Sequence, residues 1–301
     1  PQDTSSAASD VYKRQGKKAY INGMELTFTK MHGIGNDVVV IDGRQRDIAL
    51  TADQARLIAD RNFGIGCDQI MLITASDDAD IGLKIYNNDG SESGACGNGT
   101  RCVADLVLDP DDTGKLTMDS TGGMLEAWRD GAMIAVDMGV PGLNWQDIPL
   151  AHEADTLHVD LGHDGLPPAV MVNMGNPHAV HLVDDAEAID LAVTGPVLEH
   201  HPIFPERANI EFAHPLGENR LRMRVWERGA GITIACGTGA CATLVAAARR
   251  GIIGREADIV LDGGVLNITW REDDDRIIMR GPSTAVFSGS MTLPDQVRAT
   301  P

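Results

Sequence analysis

Alternation of apolar and polar residues, strongest where β-branched side chains cluster, predicts most of the ordered elements of this chain. In the first half it marks strands over residues 26–31 (LTFTKM), 38–42 (VVVID), 70–74 (IMLIT) and 80–86 (DIGLKIY). In the second half it marks 169–174 (AVMVNM), 178–183 (HAVHLV), 209–212 (NIEF) and 221–226 (LRMRVW), then 258–262, 265–270, 276–280 and 284–288. Three segments instead carry a helical period. Residues 51–62 open with Thr51 as N-cap, and Gln54 completes a capping box. Residues 97–108 (GNGTRCVADLVL) begin directly after Cys96. Residues 237–250 (GTGACATLVAAARR) form the strongest helical pattern and stop at Gly251. Many strands and few helices predict an α+β fold, each half a curled, mainly antiparallel, barrel-like sheet around one central helix.

The two halves repeat one another. ACGNGTRC begins at Ala95 and ACGTGACA at Ala235, so Cys236 lies 140 positions after Cys96. The same offset relates Asn36 to Asn176, Gln69 to Asn209, and Asn87 to Glu227. Four polar landmarks in one register exceed what a chance match of a Gly-rich octet gives, and the period is too long for a solenoid. Two pseudo-symmetric domains are therefore expected, over 24–140 and 141–280, with the boundary in the turn-rich segment 139–147 (GVPGLNWQD). The first 23 residues lack an apolar core and read as a leader outside the fold.

The repeated motif has a chemical meaning. Glycines after each cysteine let a ligand approach the backbone, and the first N–H groups of a helix lack internal partners. Such a helix start attracts anions and stabilises a thiolate. Cys96 and Cys236 are expected to be thiols of near-neutral pKa, one in each half, flanking one carboxylate held by both helix starts. One sulfur would take a proton from the carbon beside that carboxylate and the other would deliver one to the opposite face. The remaining cysteines, Cys67, Cys102 and Cys241, read as small buried hydrophobes.

Composition narrows the alternatives. Net charge is −19 with no basic run, which excludes a nucleic-acid surface and disfavours an anionic membrane. No stretch is long and apolar enough to span a bilayer. An odd count of 5 cysteines in a chain of 301 residues argues against a disulfide framework and suits a reducing cytoplasm. No cysteine or histidine spacing reads as a metal site, and no Walker lysine follows either Gly pair. A cysteine hydrolase would need one thiol with an activating histidine, not a symmetric pair.

The motifs KMHGIGND, GIGCDQ, NNDGSESGACGNGTRC, MGNPH, FPERANIEF and ERGAGITIACGTGACA together resemble diaminopimelate epimerase across nearly the whole chain. The resemblance implies a two-domain homodimeric isomerase of the cytoplasm, with the site in the interdomain cleft and no cofactor or metal. It also implies that the last strands, near 281–290, return to the first domain. It implies Cys96 and Cys236 as acid and base, and His178 and Glu227 as polar support for them. Gly97, Asn98, Gly237 and Thr238 match the carboxylate cradle. Asn36, Gln69, Asn87, Asn176, Asn209, Glu227 and Arg228 match substrate contacts. His178 also reads as a satisfied core histidine, Arg228 as a surface ion-pair partner, and Asn36 and Asn176 as turn residues. Family members commonly carry Glu where this chain has Ile232. Two other readings are a two-thiol proline or hydroxyproline racemase and a silent amino-acid-binding protein. Asn87, Asn209 and Arg228 favour a longer dicarboxylate over proline.

Overall fold

The repeat seen in the sequence is a repeat of strand register. A computed structural model describes residues 23–94, 96–111 and 113–297. The first half carries β1 (Gly23–Gly33), β2 (Asn36–Asp42), β3 (Gln69–Thr74), β4 (Ile81–Asn87), β5 (Glu92–Ser93), β6 (Lys115–Ser120), β7 (Gly123–Asp130) and β8 (Met133–Asp137). The second carries β9 (Val170–Asn173), β10 (Pro177–Leu182), β11 (Asn209–Gly217), β12 (Arg220–Glu227), β13 (Gly231–Ile232), β14 (Glu256–Leu261), β15 (Gly264–Trp270) and β16 (Ile277–Gly281). In β2–β3 Val38 faces Gln69, and in β10–β11 His178 faces Asn209. In β3–β4 Ile70 faces Tyr86, and in β11–β12 Ile210 faces Trp226. Each pair of partners differs from its counterpart by the same 140 positions.

Pairing is antiparallel except for β2–β3 and β4–β6 in one half and β10–β11 and β12–β14 in the other. The two curled sheets join where β8 pairs antiparallel with β16. A final strand, β17 (Thr284–Pro294), runs back along β1. The leader expected over 1–23 lies outside the described residues except for Gly23, which is already the first residue of β1.

Each half wraps a helix. α1 (Ala52–Ala59) lies outside the first sheet with the expected Thr51–Gln54 capping box. It ends three residues short of the expected 62 because the Asp60 carboxylate takes the N–H groups of Asn62 and Phe63. α2 (Gly97–Val107) is the central helix of the first half. Its Cys102, Val103 and Ala104 pack among Met31, Val38, Ile85, Met118 and Val136. α4 (Gly237–Arg249) is central to the second. Ala240, Cys241, Ala242, Leu244, Val245, Ala246 and Ala247 are wholly buried there, and Gly251 follows with φ 68°. Small side chains on most of its circumference let the sheet close around it. Burying Leu244 and Val245 contributes about 1.5–3 kcal/mol each.

The alternation pattern missed two features. The meander β6–β8 is one, although Gly123 and Gly131 at positive φ mark its two hairpin turns. The other is α3 (Leu191–Glu199), capped by Asp190. Gly195 and Pro196 inside it argue against a helix by propensity. Packing overrides them, since a Cβ at Gly195 would lie 2.4 Å from the Trp226 ring.

The halves lock together through the β1–β2 hairpin. Its tip places Ile34 at φ 47° and Gly35 at φ 91°. Ile34 is buried in the core of the second half, among Ala235, Cys236 and Leu261. A β-branched residue in the left-handed region is strained, and the apolar burial holds it there.

Candidate active site

Both cysteines take the N-cap position of a central helix. The Cys96 sulfur accepts from the Gly99 N–H at 3.2 Å, and the Cys236 sulfur from the Gly239 N–H at 3.4 Å. A Cβ at Gly99 would lie 2.5 Å from the Met71 sulfur and 3.3 Å from that of Cys96, and one at Gly239 would lie 2.9 Å from Glu211 Oε1 and 3.2 Å from the Cys236 sulfur. The two helix starts meet. The Asn98 side chain donates to the carbonyl of Ala235 at 3.2 Å, next to Cys236. Met279 of β16 lies against both Gly97 and Gly237. The Thr238 hydroxyl stands 3.6 Å from the Cys236 sulfur.

The environments of the two sulfurs differ. Cys96 keeps a partial opening to solvent, with Asn36 Oδ1 at 3.9 Å. Asn36 is itself held by Asp68, which accepts from its Nδ2 at 2.9 Å. Cys236 is buried, with Glu227 and Glu211 as charged neighbours. Glu227 accepts from the Thr233 hydroxyl and takes a hydrogen bond from the Cys236 thiol, while burial raises its pKa.

The near-neutral thiols expected from the helix field are not what this geometry gives. Burial outweighs the N–H groups, pushing Cys96 up to about 11 and Cys236 well above the usual thiol range. Cys67, Cys102 and Cys241 are buried among apolar side chains and are pushed up to about 12.

The other residues matched by motif surround these helix starts to different degrees. His178 is fully buried and touches neither sulfur. Its Nδ1 lies 2.6 Å from Glu211 Oε1 and its Nε2 lies 2.8 Å from Asn176 Oδ1. Gln69 donates to Asn87 Oδ1 at 2.9 Å, and Asn87 donates to the Ser91 hydroxyl at 3.0 Å. Asn209 is nearly buried. It donates to the Pro177 carbonyl and accepts from the backbone N–H of Arg228. The Arg228 guanidinium donates to the Glu206 carbonyl at 3.1 Å, with no carboxylate partner among the described residues. Ile232 is half-exposed on β13, opposite Trp226.

Three residues escaped the reading of the sequence. Asp68 fixes Asn36. Glu211 is a fully buried carboxylate whose Oε1 meets His178 and would lie 2.9 Å from a Cβ at Gly239. Glu199, at the end of α3, accepts from Trp226 Nε1 at 2.7 Å and from the Gly229 N–H at 3.0 Å. It therefore braces the segment carrying Glu227 and Arg228. Glu211 had a signal: the repeat places Met71 at the equivalent position, so a carboxylate there has no folding reason. Among the described residues no group of three acidic, histidine or cysteine side chains could hold a metal, and no helix is long and apolar enough to cross a membrane.

Two pseudo-symmetric halves, each presenting a cysteine at the start of its central helix, define a two-domain isomerase of the epimerase class. The diaminopimelate epimerase family model matches residues 28–143 and 170–286, and the chain belongs to that family. It is 54% identical over 272 residues to diaminopimelate epimerase of Rhodospirillum centenum, covering 89% of this chain and 93% of that one. It is 51% identical over 269 residues to the enzyme of the same name from Gluconobacter oxydans, covering 89% and 99%. Among solved structures, the fold is shared with a phenazine biosynthesis protein of the PhzF family from Bacillus anthracis. There the TM-score is 0.63 and identity 16%, over 89% of this chain and 99% of that one. It is shared also with a hydroxyproline epimerase from Agrobacterium vitis bound to trans-4-hydroxy-L-proline. There the TM-score is 0.62 and identity 14%, over 90% and 93%.

Proposed function

We propose that this chain interconverts LL- and meso-2,6-diaminopimelate by a two-base reaction between Cys96 and Cys236. The observation that carries this reading is the paired N-cap: two sulfurs on two docked helix starts, each bonded by the third N–H of its helix.

The substrate's reacting carboxylate sits over the first N–H groups of the two helices, at Gly97, Asn98, Gly237 and Thr238, where both helix fields favour negative charge. The thiolate on one face takes the α-proton, the C–H electron pair moves into the carboxylate as an enediolate, and the opposing thiol gives its proton to the other face. The product leaves with inverted configuration, and the two sulfurs have exchanged protonation states. Burial raises both thiols, so a thiolate needs positive charge beside it, and the substrate's α-ammonium brings one. Asn36, beside Cys96, and Asn176, bonded to His178, would be polar contacts for this reacting end. Gln69, Asn87, Asn209, Glu227 and Arg228 provide acceptors for the distal ammonium and donors for the distal carboxylate. Glu227 keeps the proton on Cys236, and His178 supports the same thiol through Glu211. No cofactor takes part. The enzyme would serve lysine and peptidoglycan precursor synthesis in the cytoplasm, as a homodimer.

Incubation with LL-diaminopimelate in deuterated water tests this. The chain should wash one deuterium into the α-carbon and form the meso isomer, and Cys96→Ala should stop turnover in a folded protein. Near-normal epimerisation by Cys96→Ala would refute the two-base scheme. A wash-in confined to proline or hydroxyproline would assign the site to a racemase instead, and binding without any exchange to a silent binding protein.

A further inference from the structure

Arg101 lies on α2 five residues after Cys96 and is wholly buried. One terminal nitrogen donates to Asn98 Oδ1 at 2.9 Å, the other rests 3.4 Å from the Met279 sulfur, and Nε has no partner. Among the described residues no carboxylate pairs with it. A guanidinium does not give up its proton at any ordinary pH, and a buried charge without a counter-ion is costly. Such a group is not a folding choice.

The protein makes room for it on purpose-shaped terms. A Cβ at Gly33 of β1 would lie 2.8 Å from the guanidinium, and one at Gly281 of β16 would lie 3.1 Å from Nε. Two missing side chains, one from each strand, therefore form its slot at the seam between the halves. The repeat offers no precedent, because the equivalent position in the second half is Cys241.

The charge has specific neighbours. Cys96 and Cys102 on its own helix and Cys241 on α4 are the ionisable groups it faces, and all three are neutral as thiols. Of these, Cys102 and Cys241 are sealed in the cores, whereas Cys96 opens on the cleft. Cys96 faces Arg101 from its own helix and Glu227 from β12. Cys236 faces the two carboxylates Glu227 and Glu211. Cys96 thus has a cation to offset Glu227, whereas Cys236 stands between two carboxylates.

We infer that Arg101 is a positioning residue for the reaction, a fixed cation that makes Cys96 the more readily ionised thiol of the pair and holds Asn98 in its bridge to Ala235. This rests on the two-thiol reading above and adds its direction. Cys236 begins as the proton donor, and the enzyme enters the cycle by abstraction on the Cys96 face. The Asn98 amide, held by Arg101 at its oxygen and by Ala235 at its nitrogen, keeps the two helix starts at one separation.

The test uses the full-length chain with Arg101→Met and Arg101→Lys, and reads each sulfur separately by peptide mass after iodoacetamide alkylation across pH. In Arg101→Met the alkylation midpoint of Cys96 should rise by about one unit, a tenfold loss of thiolate, while that of Cys236 stays put. The kcat toward LL-diaminopimelate should fall more than KM rises. Arg101→Lys should restore the Cys96 midpoint and, lacking the planar fork, should not restore KM. A folded Arg101→Met protein with an unmoved Cys96 midpoint overturns the inference. If Arg101→Met does not fold, Arg101→Lys decides, and a Cys96 midpoint raised there despite the retained cation overturns it equally. Alkylation reads the thiols without turnover, so inactivity toward diaminopimelate would count against the proposed substrate, and an unmoved midpoint against Arg101.

Discussion

Gly263 is where a single methyl group tests whether the seam sets the chemistry. It sits in the β14–β15 turn with no left-handed φ, so alanine there meets no backbone penalty of its own. Its N–H donates to the Ile234 carbonyl at 2.8 Å. A Cβ would lie 1.9 Å from the Ile34 carbonyl oxygen and 3.0 Å from that of Ile234. Ordinary contact begins near 3.4 Å, so the β1–β2 tip must retreat by about 1.5 Å. That tip carries Ile34, the anchor in the second core, and two residues on Asn36, beside Cys96. Overpacking of this kind costs about 1–3 kcal/mol, or ~2–4 °C of melting temperature per kcal/mol. The kinetic loss should be larger in proportion, about 100-fold in kcat, because a reacting pair displaced by 1 Å loses that much. Gly254→Ala is the control: no atom lies within 4 Å of its Cβ. Deuterium wash-in rates and calorimetric melting of both variants decide the matter. Gly263→Ala that melts lower yet turns over within threefold of the parent would refute the coupling of seam to site.

Thr51→Ala removes the hydroxyl half of the capping box on α1, leaving the residue-51 N–H bonded to Gln54, and should cost about 1 kcal/mol in urea unfolding with kcat unchanged. Gly195→Ala drives a methyl into the Trp226 ring and loosens the grip of Glu199 on Gly229, so KM should rise more than kcat falls. His181 is buried, stacked on Phe212, with Nδ1 2.8 Å from the Pro167 carbonyl, and burial lowers its pKa from 6.5 to about 4. The unfolded chain therefore takes this proton below pH 6.5 while the folded one does not until about pH 4. Stability from this residue is complete above 6.5 and falls by about 3 kcal/mol across that window as pH drops. His181→Phe keeps the stack and has no proton to bind, so urea unfolding between pH 6.5 and 4 should show a shallower slope. An unchanged slope would refute the assignment.

The sheet frame and both central helices were legible because each is a local pattern repeated 140 residues later. The reading failed where tertiary contact overrules local pattern. α3 contains Gly195 and Pro196 and exists because Trp226 needs a surface without a side chain. The helix-start setting of the two cysteines was legible, but their electrostatics were not: the helix N–H groups are present, and burial, which no local sequence records, outweighs them. Reading for likeness between the halves also hid what differs between them, and Arg101, Glu211 and Asp68 all went unnoticed for that reason.

Those differences have a common sense. Where the first half has Val38 and Met71 beside its central helix, the second has His178 and Glu211, in the same register. Where the second has Cys241, the first has Arg101. Folding alone would keep the halves alike, since the apolar members fit the same slots more cheaply than buried charges do. Two identical thiols in identical fields would share one proton without preference, and half the molecules would meet a given stereoisomer in the wrong protonation state. A cation behind one sulfur and carboxylates behind the other remove that degeneracy. On this reasoning, removing both charges by Arg101→Met together with Glu211→Gln should bring the Cys96 and Cys236 alkylation midpoints together. The same double variant should lower kcat unequally in the LL and meso directions, with KM shifting to keep the equilibrium ratio, since each enters through a different sulfur. Equal slowing in both directions, with the midpoints still apart, would show that the asymmetry of the halves has nothing to do with the order of proton transfer.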